Sequence, residues 1–265
     1  MEVYSWRHAQ RAGPAPTAPA FSWVEIAGVE PTLVFVHGLG ASSAPYFAPV
    51  AAHPALAGRR SLMIDMLGFG ISDRPADLAY TLEEHADALA VALEQASAGG
   101  ADIVAHSMGG AVAITLAARH PHLVGRLVLA DANLDPTPLP QTRRPGTSGI
   151  AVYRTEQEFL DHGWKETMDF VGPHWAATMR LAGPEALYRS AMSLLRGTVP
   201  TMRENLEKLP IRERSSTRPR TEWRADTESL TGAGVRVVAI PDCGHNIMLD
   251  NLDGFAHAVA DALSV

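Results

Sequence analysis

The run Ala105-His106-Ser107-Met108-Gly109-Gly110 places a serine where a short apolar stretch, Ile103 to Ala105, turns directly into a helical pattern from Met108 to Arg119. A serine on so sharp a strand-to-helix turn holds its hydroxyl clear of the backbone, and the turn needs small residues two before and two after it. Those residues are Ala105 and Gly109; glycine is usual at both places, and alanine at the first is a mild departure that the same geometry accepts. A hydroxyl is a weak nucleophile until a base takes its proton. His245, in Asp242-Cys243-Gly244-His245-Asn246, directly follows the last β-branched run, Val235 to Ile240. Strand ends of a parallel sheet converge there, so His245 is the expected base for Ser107. Acyl transfer also needs fixed N–H donors for the oxyanion that develops on the substrate. The loop His37-Gly38-Leu39-Gly40 follows the first long buried run, and the amides of Leu39 and Met108 are the expected donors. Met108 opens a helix, whose N-terminal dipole favours an anion.

A catalytic histidine needs a carboxylate on its second ring nitrogen, to fix the tautomer and to stabilise the imidazolium. Several acids compete. Glu222 and Asp226 lie before the last strand, within or beside a helical stretch, and Asp242 would have to fold back on its own loop. Asp131 closes the run Leu127 to Ala130, the strand after the Ser107 strand-helix unit, and so opens towards the same sheet edge. We therefore expect Asp131 to orient His245, with Asp135 as the fallback and Asp226 still open.

The positioning elements are legible as alternating patterns. Phe21 to Ala27 alternates weakly, as an antiparallel strand would. Thr32 to Val36 and Ser61 to Met66 are short β-branched or apolar runs emptying into glycine loops. Thr81-Leu82-Glu83-Glu84 offers a capping box for a helix that carries Leu82, Ala86, Leu89, Ala90 and Leu93 at helical spacing. Strand and helix then alternate to Ala130, which predicts an α/β protein with a doubly wound, mostly parallel sheet. From Leu134 the pattern breaks into prolines and then into helix formers with bulky apolar side chains. Residues 136–207 are read as a helical cap inserted after the strand that ends at Asp131, and 1–135 with 208–265 as the core. The sheet is expected to resume weakly near Pro210 to Glu213, then clearly at Val235 to Ile240, before a closing helix from Leu252 to Leu263. Trp164 and Trp175 are the cap residues expected to line a pocket over Ser107, favouring a substrate with an apolar acyl or alkyl part.

Composition excludes several classes. Of 265 residues, 46% are hydrophobic, enough for a large core, which rules out a disordered chain. There are 22 basic against 29 acidic residues, a formal net charge of −7, with no basic stripe, so a nucleic-acid partner is not expected. The longest weakly polar run, Met108 to Ala118, is well short of the ~20 residues of a membrane span. Glu2, Arg7 and Arg11 interrupt any secretory apolar region, and the single Cys243 suits a reducing compartment, so a cytoplasmic protein is expected. The scattered histidines lack metal-ligand spacing and no phosphate loop is present, so neither metal nor cofactor is expected.

His37-Gly38, Asp65-Met-Leu-Gly-Phe-Gly-Ile-Ser-Asp73, His106-Ser-Met-Gly-Gly110 and Gly244-His245 occur in an order and at a spacing that resemble the α/β-hydrolase superfamily, across residues 21 to 263. That resemblance implies the α/β-hydrolase fold and a cofactor-free serine hydrolase acting on a carboxylic ester or related acyl compound through an acyl-enzyme on Ser107. It leaves open carbon–carbon bond hydrolysis, thioester or lactone cleavage, and a weakly catalytic ligand-binding member. Serine at the turn argues against relatives with dehalogenase or epoxide hydrolase chemistry, which carry aspartate there. In much of the superfamily the acid follows the penultimate strand, but here that region reads Arg212-Glu213-Arg214-Ser215-Ser216-Thr217. Asp131-Ala132-Asn133-Leu134 resembles instead the Glu-Gly-Asn-Leu of relatives that carry their acid earlier. Asp65 and Asp73 are expected to brace the loop after their strand.

Overall fold

The computed structural model describes residues 19–135, 142, 148–209, 213–219 and 227–264. Seven strands form one sheet: β1 (Ser22–Ile26), β2 (Val29–Val36), β3 (Arg59–Asp65), β4 (Ala101–His106), β5 (Val124–Ala130), β6 (Glu213–Pro219) and β7 (Arg236–Ile240). Their order is β1-β3-β2-β4-β5-β6-β7, with β1 antiparallel to β3 and every other pair parallel. The alternation of side chains along a strand assigns the two faces. Val34, Val36, Leu62, Ile64, Ile103, Ala105, Leu127 and Leu129 belong to one core cluster. Their neighbours Leu33, Phe35, Met63, Val104, Val128 and Ala130 belong to the other. Helices α2 (Leu82–Gln95) and α3 (Met108–Arg119) supply the first layer; α1 (Ser43–Ala51) and the closing helix (Leu252–Ala262) supply the second. The Thr81 hydroxyl accepts from the Glu84 amide while the Glu84 carboxylate accepts from the Thr81 amide, the capping box read from the sequence.

Between β5 and β6 the described chain is helical: α4 (Glu156–Glu158) runs through a π turn into α5 (Trp164–Phe170), followed by α6 (Pro173–Met179), α7 (Pro184–Arg196) and α8 (Met202–Lys208). After β6 come α9 (Thr227–Gly232), β7, α10 (Ile247–Asp250) and α11 (Leu252–Ala262). Two elements differ from expectation. Helix α1 lacks a strong sequence signal because it is short and contains Pro49. Strand β6 runs from Glu213 to Pro219 rather than ending near Glu213. Its sequence, Glu-Arg-Ser-Ser-Thr-Arg-Pro, has none of the apolar residues expected of an inner strand. Ser216 and Thr217 are nonetheless fully buried, and Thr217 donates its hydroxyl to the Leu129 carbonyl.

Two loops at the carboxyl ends of the strands are tied down by carboxylates. Asp65, buried at the end of β3, accepts from the Ser43 amide at 2.7 Å, the Ile71 amide at 3.0 Å and the Ser42 hydroxyl at 3.1 Å. Asp73 accepts from the Ala20 amide at 2.9 Å. Behind Ser107, a Cβ added at Gly109 would stand 2.3 Å from the His37 carbonyl oxygen and 2.8 Å from that of Val36. The glycine is thus required by the approach of α3 to the end of β2. Gly109→Ala should destabilise the fold by about 3 kcal/mol, as overpacking against rigid backbone does; a urea midpoint unchanged from wild type would contradict this.

Candidate active site

Ser107 stands between β4 and α3 with φ 53° and ψ −122°, a conformation that a non-glycine residue adopts only when its surroundings enforce it. The enforcement is visible: the Ser107 amide donates to the Ala130 carbonyl at 3.0 Å, and the Ser107 carbonyl accepts from the Gly110 amide at 2.9 Å and the Asn133 amide at 3.4 Å. Asp131, the first residue after β5, also has positive φ, 44°, and its amide donates to the Thr217 carbonyl at 2.9 Å. The polar strand β6 therefore fixes the backbone that carries this acid.

The side chains of Ser107, His245 and Asp131 meet. His245 Nδ1 lies 2.6 Å from Asp131 Oδ2, and His245 Nε2 lies 3.0 Å from Ser107 Oγ. A carboxylate only accepts, so Nδ1 carries the proton and Nε2 is left to accept from the serine hydroxyl. The Asp131 side chain is 9% exposed and that of His245 37%, a shielded acid beside an accessible base. Asp135 is not part of this chain of contacts. It lies half-exposed in a bidentate pair with Arg203 of α8. Asp242 is exposed, and Glu222 and Asp226 lie outside the described residues.

Of the two expected amide donors, Met108 follows Ser107 directly and Leu39 follows Gly38, which packs against Ser107. Met108 opens α3, so its N–H has no intrahelical acceptor. Gly38 lies so close that an added Cβ would meet Ser107 Cβ at 3.0 Å. The carbonyl of Gly38 is held on one side by His37 Nδ1 at 2.7 Å and by the Ala41 amide at 3.2 Å. Because a trans peptide directs its N–H opposite to its C=O, this also aims the Leu39 N–H away from that side. His37 Nε2 accepts from the Met66 amide at 3.1 Å, which leaves the ring proton on Nδ1 for Gly38.

Three supports were not read as such from the sequence. Asn133 brings its side-chain amide to 3.3 Å from Ser107 Oγ. The atom of Asn133 that approaches is Oδ1, so the single Ser107 hydroxyl proton has two acceptors within reach, His245 Nε2 and Asn133 Oδ1. His106 Nε2 donates to the His245 main-chain carbonyl at 2.9 Å, and the two rings lie 4.6 Å apart. Third, α6 grips the glycine loop from above: Trp175 Nε1 donates to the Leu39 carbonyl at 2.8 Å and the Thr178 hydroxyl to the Gly40 carbonyl at 3.2 Å. The spacing Asp-Ala-Asn and the histidine beside Ser107 were visible hints for the first two; no local signal marks Thr178. Trp175 also borders a cleft beside His245, whereas Trp164 meets Phe159 edge-on at 6.4 Å within the helical region.

The family model for the alpha/beta hydrolase fold matches residues 31–151. A thermophilic esterase from Thermogutta terrifontis superposes with a TM-score of 0.73 over 96% of this chain and 98% of its own, at 20% identity. The chain has the α/β-hydrolase fold. It is also similar to 2-hydroxymuconate semialdehyde hydrolase of Pseudomonas sp. (strain CF600), 41% identical over 98 residues, 37% of this chain and 35% of that protein. Esterase Rv0045c of Mycobacterium tuberculosis (strain ATCC 25618 / H37Rv) is 30% identical over 190 residues, 70% of this chain and 58% of that one. The chain thus spans about a third of the length of the first of these curated relatives. Among the described residues, no helix is long and apolar enough to cross a membrane, and no cluster of acidic, histidine or cysteine side chains could hold a metal ion.

The histidines around the candidate site are kept neutral by burial. His106 is pushed down to about 3, first by burial and then by the nearby charge of His245. His85 is likewise pushed down to about 3 by burial and then by His37. His37 is lowered by burial, against the opposing pull of Asp65. Unfolding returns each to about 6.5, so the unfolded chain binds more protons below that pH and stability is lost as the pH falls from there towards 3. Between about pH 5.5 and about pH 4, where the unfolded imidazole is protonated and the buried one is not, His85 and His106 should each remove about 1.4 kcal/mol per pH unit. Urea unfolding should show this decline, and His85→Gln should flatten it by about one such increment; an unchanged slope would refute the assignment. Trp175→Phe keeps a ring but loses the bond to Leu39, worth about 1 kcal/mol. It should lower kcat about fivefold on every ester tried, with little change in KM.

Proposed function

We propose that this chain is a serine hydrolase that cleaves a carboxylic ester or related acyl compound through an acyl-enzyme on Ser107. The observation that carries the reading is the continuous contact from Asp131 Oδ2 through His245 to Ser107 Oγ, at 2.6 and 3.0 Å. Ser107 Oγ attacks the acyl carbon as its proton passes to His245 Nε2. The amides of Leu39 and Met108 receive the oxyanion. The carbon–oxygen bond to the leaving group breaks, and His245 returns the proton to the departing oxygen. Water then repeats the sequence: it attacks the acyl carbon, gives its proton to His245, and Ser107 leaves with that proton restored. The products are an acid and an alcohol, and no cofactor is needed for the balance.

Asp131 holds His245 in the productive tautomer and faces the imidazolium while it lasts. The described helices between β5 and β6 act as a cap that shapes the substrate site, since α6 contacts the loop carrying Leu39. A substrate with an apolar acyl or alkyl part suits the aromatic side chains it presents. A second reading, carbon–carbon bond hydrolysis at the same serine, is favoured by the similarity to the 2-hydroxymuconate semialdehyde hydrolases. A higher kcat/KM on 2-hydroxymuconate semialdehyde than on p-nitrophenyl acetate would select it.

Ser107→Ala should lower ester turnover about a thousandfold or more while leaving the fold intact, and should abolish labelling by a fluorophosphonate. Asp131→Asn should cost kcat about a hundredfold or more, whereas Asp135→Asn should leave it nearly unchanged. Near-normal turnover in Ser107→Ala would refute the mechanism, and a large loss in Asp135→Asn with a normal Asp131→Asn would reassign the acid.

A further inference from the structure

A cleft of about 240 Å³ opens against His245, walled by Phe170, Val171, Pro173, His174 and Trp175 and floored in part by Asn246. Phe170 ends α5, and Pro173 to Trp175 form the first turn of α6, so the walls belong to one corner of the helical region. Trp175 spends its only donor on the Leu39 carbonyl, which leaves its ring to face the cleft as carbon. Ser107 and Asn133 do not line this space; Asn133 borders instead a much smaller cavity with Leu82, Leu134, Leu194 and Met202. His245 thus borders an apolar cleft that Asn133 does not line.

We infer that this cleft holds the leaving group, and that the preferred substrates are esters of bulky apolar alcohols. The inference rests on the serine-hydrolase reading above. In that reaction the proton taken by His245 Nε2 must go back to the departing oxygen, so that oxygen sits at Nε2 when the acyl carbon–oxygen bond breaks. Its substituent then runs outward past His245, the one residue of the three in contact that borders the cleft. A dry cavity of roughly 150 Å³ accommodates a benzene molecule; the cleft, at about 240 Å³, has room for a ring on a short alkyl linker. With Phe170 and Trp175 as walls, and the exposed His174 at the rim, an apolar ring gains more there than a methyl group or a charged head.

Acetate esters of methanol, 1-butanol, cyclohexylmethanol and 3-phenylpropanol test this, because these primary alcohols leave with similar basicity and share one acyl-enzyme. With the full chain, kcat/KM should rise at least tenfold from methyl to 3-phenylpropyl acetate, while kcat changes far less where hydrolysis of the common acetyl-enzyme limits turnover. Two variants change the cleft from opposite directions. Phe170→Ala removes a wall and should cut the 3-phenylpropyl preference about fivefold. Gly172→Leu fills the space: a Cβ at Gly172 meets nothing within 4 Å, so the added side chain is tolerated by the backbone and should exclude the ring. Both should leave methyl acetate within about twofold of wild type. A flat alcohol series in an enzyme whose Ser107 is labelled by a fluorophosphonate would overturn the leaving-group assignment alone. So would a preference that survives both variants unchanged. No labelling and no turnover of any ester would overturn the serine-hydrolase reading and this inference with it.

Discussion

The site depends on one close approach of backbone to backbone, that of the first turn of α3 to the carboxyl end of β2 at Gly109. Because no side chain stands between them, the loop after β2 and the N-terminus of α3 come within reach of one small atom. Ser107 is forced into positive φ at that junction, and hydrogen bonds to Ala130, Gly110 and Asn133 hold it there. The strain is local, and it is offset by a surrounding sheet in which β2, β4 and β5 are buried on both faces. Ser107, the loop after β2 and the first turn of α3 thus have a common mechanical origin.

Charge around the serine is set by exclusion of water. His37, His85 and His106 are buried and neutral, so none of them competes with His245 for a proton. Each also makes a directional bond: His37 to Gly38, His85 to Ser190 and His106 to the carbonyl of His245. The Nδ1 atoms of His85 and His106 are buried without a hydrogen-bond partner, a cost that fits a rigid polar layer at the strand ends. His245, by contrast, is partly open to solvent. Four imidazoles thus divide into three buried supports and one that reaches solvent.

Much of this arrangement was legible in the sequence because the relevant signals are local. The alternation of β2 to β5, the capping box of α2 and the glycines about Ser107 encode themselves within a few residues. Asp131 was expected to face His245 from its place at the end of the strand next to β4, and its Oδ2 lies 2.6 Å from His245 Nδ1. What escaped was non-local or depended on an atypical composition. Strand β6 is polar, and its burial follows from pairing with β5 and β7 on both sides rather than from its own residues. Thr178 and Trp175 act on carbonyls more than a hundred residues earlier in the chain, a relation no spacing rule contains. Asn133 could be seen as part of a pattern, but its approach to Ser107 required the turn at Asp131 to be folded first.

The two bonds from α6 to Leu39 and Gly40 carry a thermodynamic consequence. Any excursion that lifts α6 from the sheet edge breaks both and frees the loop that carries Leu39 and Gly40. The seating of the helix and the order of the loop are thereby linked variables. By reciprocity, whatever steadies the loop also favours the seated helix, to the same extent that seating the helix steadies the loop.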